Sequence, residues 1–160
     1  MVAKITIKTA RWAVFMVRYE TGNMKKLLSF ILCVFIAGGA QAVPAVVDYI
    51  FDGDTFSAGV KLEADVEITV RVRLINIDTP EMNAKCDAEK VMAQNARDLL
   101  GTLIPKGTIV ELKNIKDDKY LGRINANVIL PDGRDVGNVL IDSGLARPYK
   151  GGKRKSWCEK

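Results

Sequence analysis

The chain has 160 residues, room for one core and not two, because halves of that size would each bury too little apolar surface against the entropy of ordering. It contains no histidine, which excludes a histidine general base, serine–histidine and cysteine–histidine pairs and histidine zinc sites; acid–base work falls to carboxylates, lysine, tyrosine or metal-bound water. The formal charge is +5, but residues 1–42 hold six basic groups against one acidic, so the rest of the chain is neutral and net charge alone argues for no partner.

Met24 to Ala42 reads as a secretory signal peptide. Lys25 and Lys26 form its charged start, Leu27 to Ala40 its apolar stretch, and Ala40-Gln41-Ala42 a small-residue cleavage site. The apolar stretch is shorter than the roughly 20 residues that cross a bilayer, which disfavours a membrane anchor. Residues 1–23 then form an upstream extension, with Met24 as a possible true start, and residues 43–160 form the folded domain with a basic C-terminal tail. Export to a periplasm or to the medium is the expectation, with no stable membrane association after cleavage and a monomeric state. Cys33 leaves with the leader, and the remaining pair, Cys86 and Cys158, is expected to form a disulfide in an oxidising compartment, two buried or free thiols being the alternative. Closing so long a loop is worth about 4 kcal/mol in the chain-entropy account.

Ala45 to Phe51 has the β-branched and aromatic content of a strand, Asp52-Gly53-Asp54 supplies a turn, and Thr55 to Val60 returns as a second strand. Val66 to Ile77 alternates, with Val66, Ile68, Val70, Val72 and Leu74 on one side and Glu67, Thr69, Arg71 and Arg73 on the other. The alternation slips after Leu74, which predicts a bulge or bend. From Asp87 to about Leu103, Val91, Ala96, Leu99, Leu100 and Leu103 recur at helical spacing, with Asp87 as the expected N-cap. Gly107 to Ile115 and Arg123 to Leu130 read as two more strands, and Asp135 to Ser143 as a short helix stopped by Gly144. The order β-β-β-α-β-β-α predicts an α+β protein, a five-stranded OB-fold β-barrel with helices, a fold that often binds oligonucleotides.

The charge within residues 43–160 is uneven. Residues 43–104 carry six basic and eleven acidic groups, and residues 105–160 carry twelve and seven, so one part suits a cation and the other an anion. Asp52, Asp54, Asp78, Thr79 and Glu81 concentrate hard oxygen ligands at the ends of two strands, which suits calcium better than zinc or copper. Asp52-Gly53-Asp54 does not continue into an EF-hand, because Thr55-Phe56-Ser57 breaks that ligand pattern. Each motif alone also serves as ordinary turn chemistry, and each arginine as a surface ion-pair partner.

Taken together, Asp52-Gly53-Asp54-Thr55, Arg73-Leu74-Ile75-Asn76-Ile77-Asp78-Thr79-Pro80-Glu81 and Asp118-Lys119-Tyr120-Leu121-Gly122-Arg123 resemble the signature of the staphylococcal nuclease family, over residues 45 to 150. The resemblance implies a calcium-dependent endonuclease that hydrolyses the phosphodiester bonds of DNA and RNA, favours single strands and leaves 3'-phosphate ends. It implies that Asp54 and Asp78 bind Ca2+ through carboxylates, Thr79 through its carbonyl and Asp52 through water. Glu81 would position or deprotonate the attacking water, Arg73 and Arg123 would hold the phosphate, and Tyr120 and Tyr149 would line the nucleotide pocket. Leu121 departs from the family's uninterrupted Tyr-Gly-Arg run. An extra residue in an extended segment turns the next side chain to the opposite face unless a bulge at Gly122 absorbs it. The alternative is a catalytically impaired OB-fold module that binds nucleic acid without cutting it.

Overall fold

The computed structural model describes residues 42–62 and 66–158, so nearly all of the expected leader lies outside the described residues. Within them β1 (Val43–Ile50), β2 (Thr55–Lys61), β3 (Glu67–Leu74), β5 (Ile109–Asp117) and β6 (Arg123–Ile129) form a closed barrel in the order β1-β2-β3-β6-β5, with β1 also paired to β5. Four of the pairings are antiparallel and β3–β6 is parallel. Two helices, α1 (Asp87–Leu103) and α2 (Val136–Asp142), pack against the barrel, and two-residue strands β4 (Ile77–Asp78) and β7 (Arg147–Pro148) pair outside it. This is the expected five-stranded OB architecture with helices.

The core joins alternate residues of the strands, among them Phe56, Val72, Leu74, Leu112 and Val128, to Leu100, Ile104 and Leu140 from the helical side. Each such side chain contributes roughly 1.5–3 kcal/mol by leaving water. The buried stripe of α1 is Glu89, Ala93, Ala96 and Leu100. Val91, expected on that stripe, is 60% exposed instead. Counting bulky apolar residues misplaced it: small alanines mark the buried face because barrel and helix approach closely there. The N-cap is Cys86 and not Asp87; Cys86 has extended backbone and its sulfur accepts the Glu89 N–H.

The slip after Leu74 is a bend, a turn that ends the strand, and not a bulge. Ile75 and Asn76 form a turn, Asn76 takes φ of 63°, and Ile77–Asp78 then pairs with Pro148 and Arg147. Asn tolerates this left-handed conformation better than a β-branched residue would. The turn carries Asp78 off the barrel toward the C-terminal segment. That segment is closed by Cys86 and Cys158, whose sulfurs lie 2.14 Å apart across a separation of 72 residues.

Candidate functional site

Two turns bring the acidic residues together. Gly53 is the point of closest approach: a Cβ there would stand 2.7 Å from Ala96 Cβ of α1 and 3.2 Å from Thr79 Cβ. Only glycine lets the Asp52–Asp54 turn pack against both Thr79 and the helix. In the same turn the Asp54 N–H donates to Asp52 Oδ1 (3.0 Å), and Leu74 N–H donates to the Asp54 carbonyl (2.8 Å), fixing the turn to the end of β3.

Asp54 is buried. Its Oδ1 accepts from the Thr55 hydroxyl (2.8 Å) and from Arg73 Nη1 (2.7 Å). Burial pushes its carboxyl up to about 6; the Arg73 guanidinium works against this, and the Asp52 charge adds to it. Asp78 is also buried, and its two oxygens differ. Oδ2 accepts from Arg147 Nε (2.9 Å) and Trp157 Nε1 (3.2 Å), whereas Oδ1 accepts no hydrogen bond, with Arg154 Nε standing 3.0 Å away as an ion-pair partner. Arg154 also pairs with Glu81. Thr79 is buried beside Gly53, and the Glu81 N–H donates to Oε1 of buried Glu89 (3.2 Å), which anchors the Asp-Thr-Pro-Glu segment to α1.

Arg123 opens β6 in parallel register with Arg71 of β3, two residues along from the Arg73–Asn125 pair, so Arg73 and Arg123 share one face of the sheet. Leu121 does not displace it. The extra residue is absorbed in the turn before the strand: the Arg123 N–H donates to the Tyr120 carbonyl, Gly122 takes φ of 77°, and the Leu121 side chain is fully exposed. Asp118 Oδ1 accepts a hydrogen bond from Arg123 Nη2 (3.2 Å), its Oδ2 stands 3.0 Å from Nε as an ion-pair partner without a hydrogen bond, and the Tyr120 ring lies 4.5 Å from the guanidinium. Burial tends to raise the Asp118 carboxyl, but its bonds to Arg123 and to the Tyr120 N–H hold it below its ordinary value.

These residues meet in a cleft of about 600 Å³ lined by Asp52, Arg73, Glu81, Tyr120, Arg123 and Tyr149, together with Asp118, Lys119, Asn125 and Arg154. Six of the residues singled out in the sequence therefore line one cavity. Asp54 and Asp78 join it through their ion pairs to Arg73 and Arg154. Tyr149 is held by its N–H to the Asn76 carbonyl (2.8 Å) and its hydroxyl to the Gly152 carbonyl (2.6 Å).

The donor set fits a hard divalent cation by two observations. Asp54 is a carboxyl whose charge is opposed by its own burial, and Asp78 Oδ1 is buried with no donor. A cation relieves both. Asp52, Asp54 and Asp78 are not drawn within 4.8 Å of one another as a trio; among the described residues the group that close is Cys86, Glu89 and Cys158, whose paired sulfurs offer no thiolate. Sequence reasoning missed Arg147, Arg154 and Trp157 on Asp78, Glu89 behind Glu81, and Asp118 behind Arg123. The Gly151-Gly152-Lys153-Arg154-Lys155 run offered only its charge as a signal.

The family model described as staphylococcal nuclease homologue matches residues 71–159, more than half of the chain. The chain belongs to the staphylococcal nuclease homologue family. The match includes Arg73, Asp78, Thr79, Glu81, Arg123 and the tail, while Asp52 and Asp54 precede it and are tied to the site by the barrel. Endonuclease YhcR of Bacillus subtilis (strain 168) is 32% identical over 111 residues, which is 65% of this chain and 9% of that protein. An uncharacterized endonuclease of Escherichia coli is 29% identical over 128 residues, 79% of this chain and 75% of that protein. The chain thus spans about a tenth of the Bacillus relative and three quarters of the Escherichia coli one.

Proposed function

We propose that this protein is a calcium-dependent phosphodiesterase that cuts DNA and RNA, exported to a periplasm or to the medium and acting as a monomer. The observation that carries the reading is the meeting, in one cleft, of Glu81 with Arg73 and Arg123, each arginine held by its own carboxylate. Attack on a phosphodiester adds negative charge to the phosphoryl oxygens, and a guanidinium fork matches those oxygens in both geometry and charge. Arg73 and Arg123 take the phosphate, and Asp54 and Asp118 fix their planes beforehand, so little reorganisation is left for the reaction. Glu81, exposed at the cleft, takes the proton of the attacking water as its oxygen bonds to phosphorus; the P–O5' bond breaks, leaving a 3'-phosphate, and the departing 5' oxygen takes a proton from solvent. Tyr120 and Tyr149 offer ring faces to the flanking nucleotides.

Asp54, Asp78 and the Thr79 carbonyl would hold Ca2+, with Asp52 acting through water. When bound, calcium supplies positive charge beside the phosphate that the arginines already grip. The endonuclease names of the relatives support the substrate class. Export is supported by the Met24–Ala42 pattern and by pairing of Cys86 with Cys158, which suits an oxidising compartment.

The second reading, a module that binds without cutting, has one observation in its favour: Glu81 is paired with Arg154. Incubating the purified protein with end-labelled single-stranded DNA and RNA, in calcium or in excess chelator, separates the two. Hydrolysis predicts fragments with calcium and none in chelator. Full cleavage in chelator contradicts the calcium requirement, and retarded but intact oligonucleotide in calcium favours the binding module.

A further inference from the structure

Asp78 is almost inaccessible, yet three side chains of one segment converge on it. Arg147 and Trp157 serve Oδ2, and the Trp157 ring also lies 4.2 Å from the Arg147 guanidinium. Arg154 faces Oδ1 at 3.0 Å and reaches Glu81 with its other end. The two sides are unlike. Oδ2 is saturated by donors in hydrogen-bonding geometry, which orients the carboxylate. Oδ1 accepts no hydrogen bond, so Arg154 satisfies it by charge alone.

We propose that Arg154 is the internal counter-ion of this site, holding Asp78 Oδ1 and Glu81 until a divalent cation displaces it. The proposal rests on the reading of Asp78 as a cation ligand. Two carboxylates brought together need a positive charge between or beside them, and a guanidinium supplies it while the cation is away. Arg154 is well suited to leave. Its side chain is 35% exposed, and it follows Gly151 and Gly152, both at φ of 93°, so the stretch before it turns sharply. It also cannot go far. Cys158, four residues on, is joined to Cys86 at the start of α1, and Arg147 anchors the other end on Asp78. A tethered group competes at a high effective concentration, so the tail weakens apparent cation affinity without closing the cleft.

Calorimetric titration of the full chain with calcium chloride tests this without reference to cleavage. An ion pair of ordinary strength sets the scale, so Arg154→Gln should lower the calcium dissociation constant by about three- to five-fold. Lys153→Gln removes the same charge one residue away without that contact, and should stay within about two-fold of wild type because an exposed charge is screened. A second readout comes from Trp157, the only indole once Trp12→Phe is made; its emission should respond over the same calcium range. Equal or weaker calcium binding by Arg154→Gln overturns the counter-ion, as does equal tightening by Lys153→Gln. Those results leave the cation reading standing. Absence of calcium binding in both wild type and Arg154→Gln overturns the two together.

Discussion

At the scale of single residues, the site is a set of charges each held by an opposite one: Asp54 with Arg73, Asp118 with Arg123, and Asp78 with Arg147 and Arg154. Asp54 stands out because burial raises its carboxyl from 3.8 to about 6, with the Asp52 charge adding to the rise and Arg73 opposing it. The folded protein therefore holds this proton more tightly than the unfolded chain does. Its contribution to stability is fully present below about pH 4 and is lost as pH rises toward and through about 6. Asp54→Asn cannot lose it. In chelator, urea denaturation should show the stability of Asp54→Asn relative to wild type rising between pH 4 and pH 6 and then levelling. A relative stability that is flat or falls with pH contradicts the assigned burial cost.

At the scale of elements, the site depends on how closely two turns approach α1. Gly53→Ala would force its Cβ against Ala96 Cβ and Thr79, atoms too short to swing aside, and should cost about 1–3 kcal/mol in urea denaturation. Gly101→Ala in α1, where the nearest atom to a new Cβ is 4.0 Å away, should instead be neutral or stabilising by up to about 1 kcal/mol. Gly53→Ala as stable as wild type would contradict the close packing. Elements were also what the sequence made most legible. Alternation and helical spacing located the five barrel strands and both helices, because each is half-buried and its pattern records which face is covered. What the patterns missed were contacts with no periodicity: the Cys86 cap and the two-residue β4–β7 pairing. Val91 falls off the buried face of α1, which runs through Glu89, Ala93, Ala96 and Leu100.

At the scale of the whole molecule, the cleft is assembled from distant parts of the chain: the first hairpin, the end of β3, the turn before β6 and the C-terminal tail. Motif spacing made the first three legible, because their residues have types that chemistry demands at fixed offsets. The tail was not, since Arg147, Arg154 and Trp157 reach Asp78 through the β4–β7 pairing and the Cys86–Cys158 link, which leave no periodic pattern. The same assembly sets Glu81 in one cleft with Arg73 and Arg123, the arginines proposed to take the phosphate, and the central claim is that this carboxylate accepts the proton of the attacking water. The most direct test is the calcium-supported cleavage rate of Glu81→Gln under saturating single-stranded DNA, with thermal melting used to show that the variant is folded. The account predicts a fall of about a hundred-fold or more with oligonucleotide binding retained. A folded variant that cleaves at the wild-type rate would contradict it.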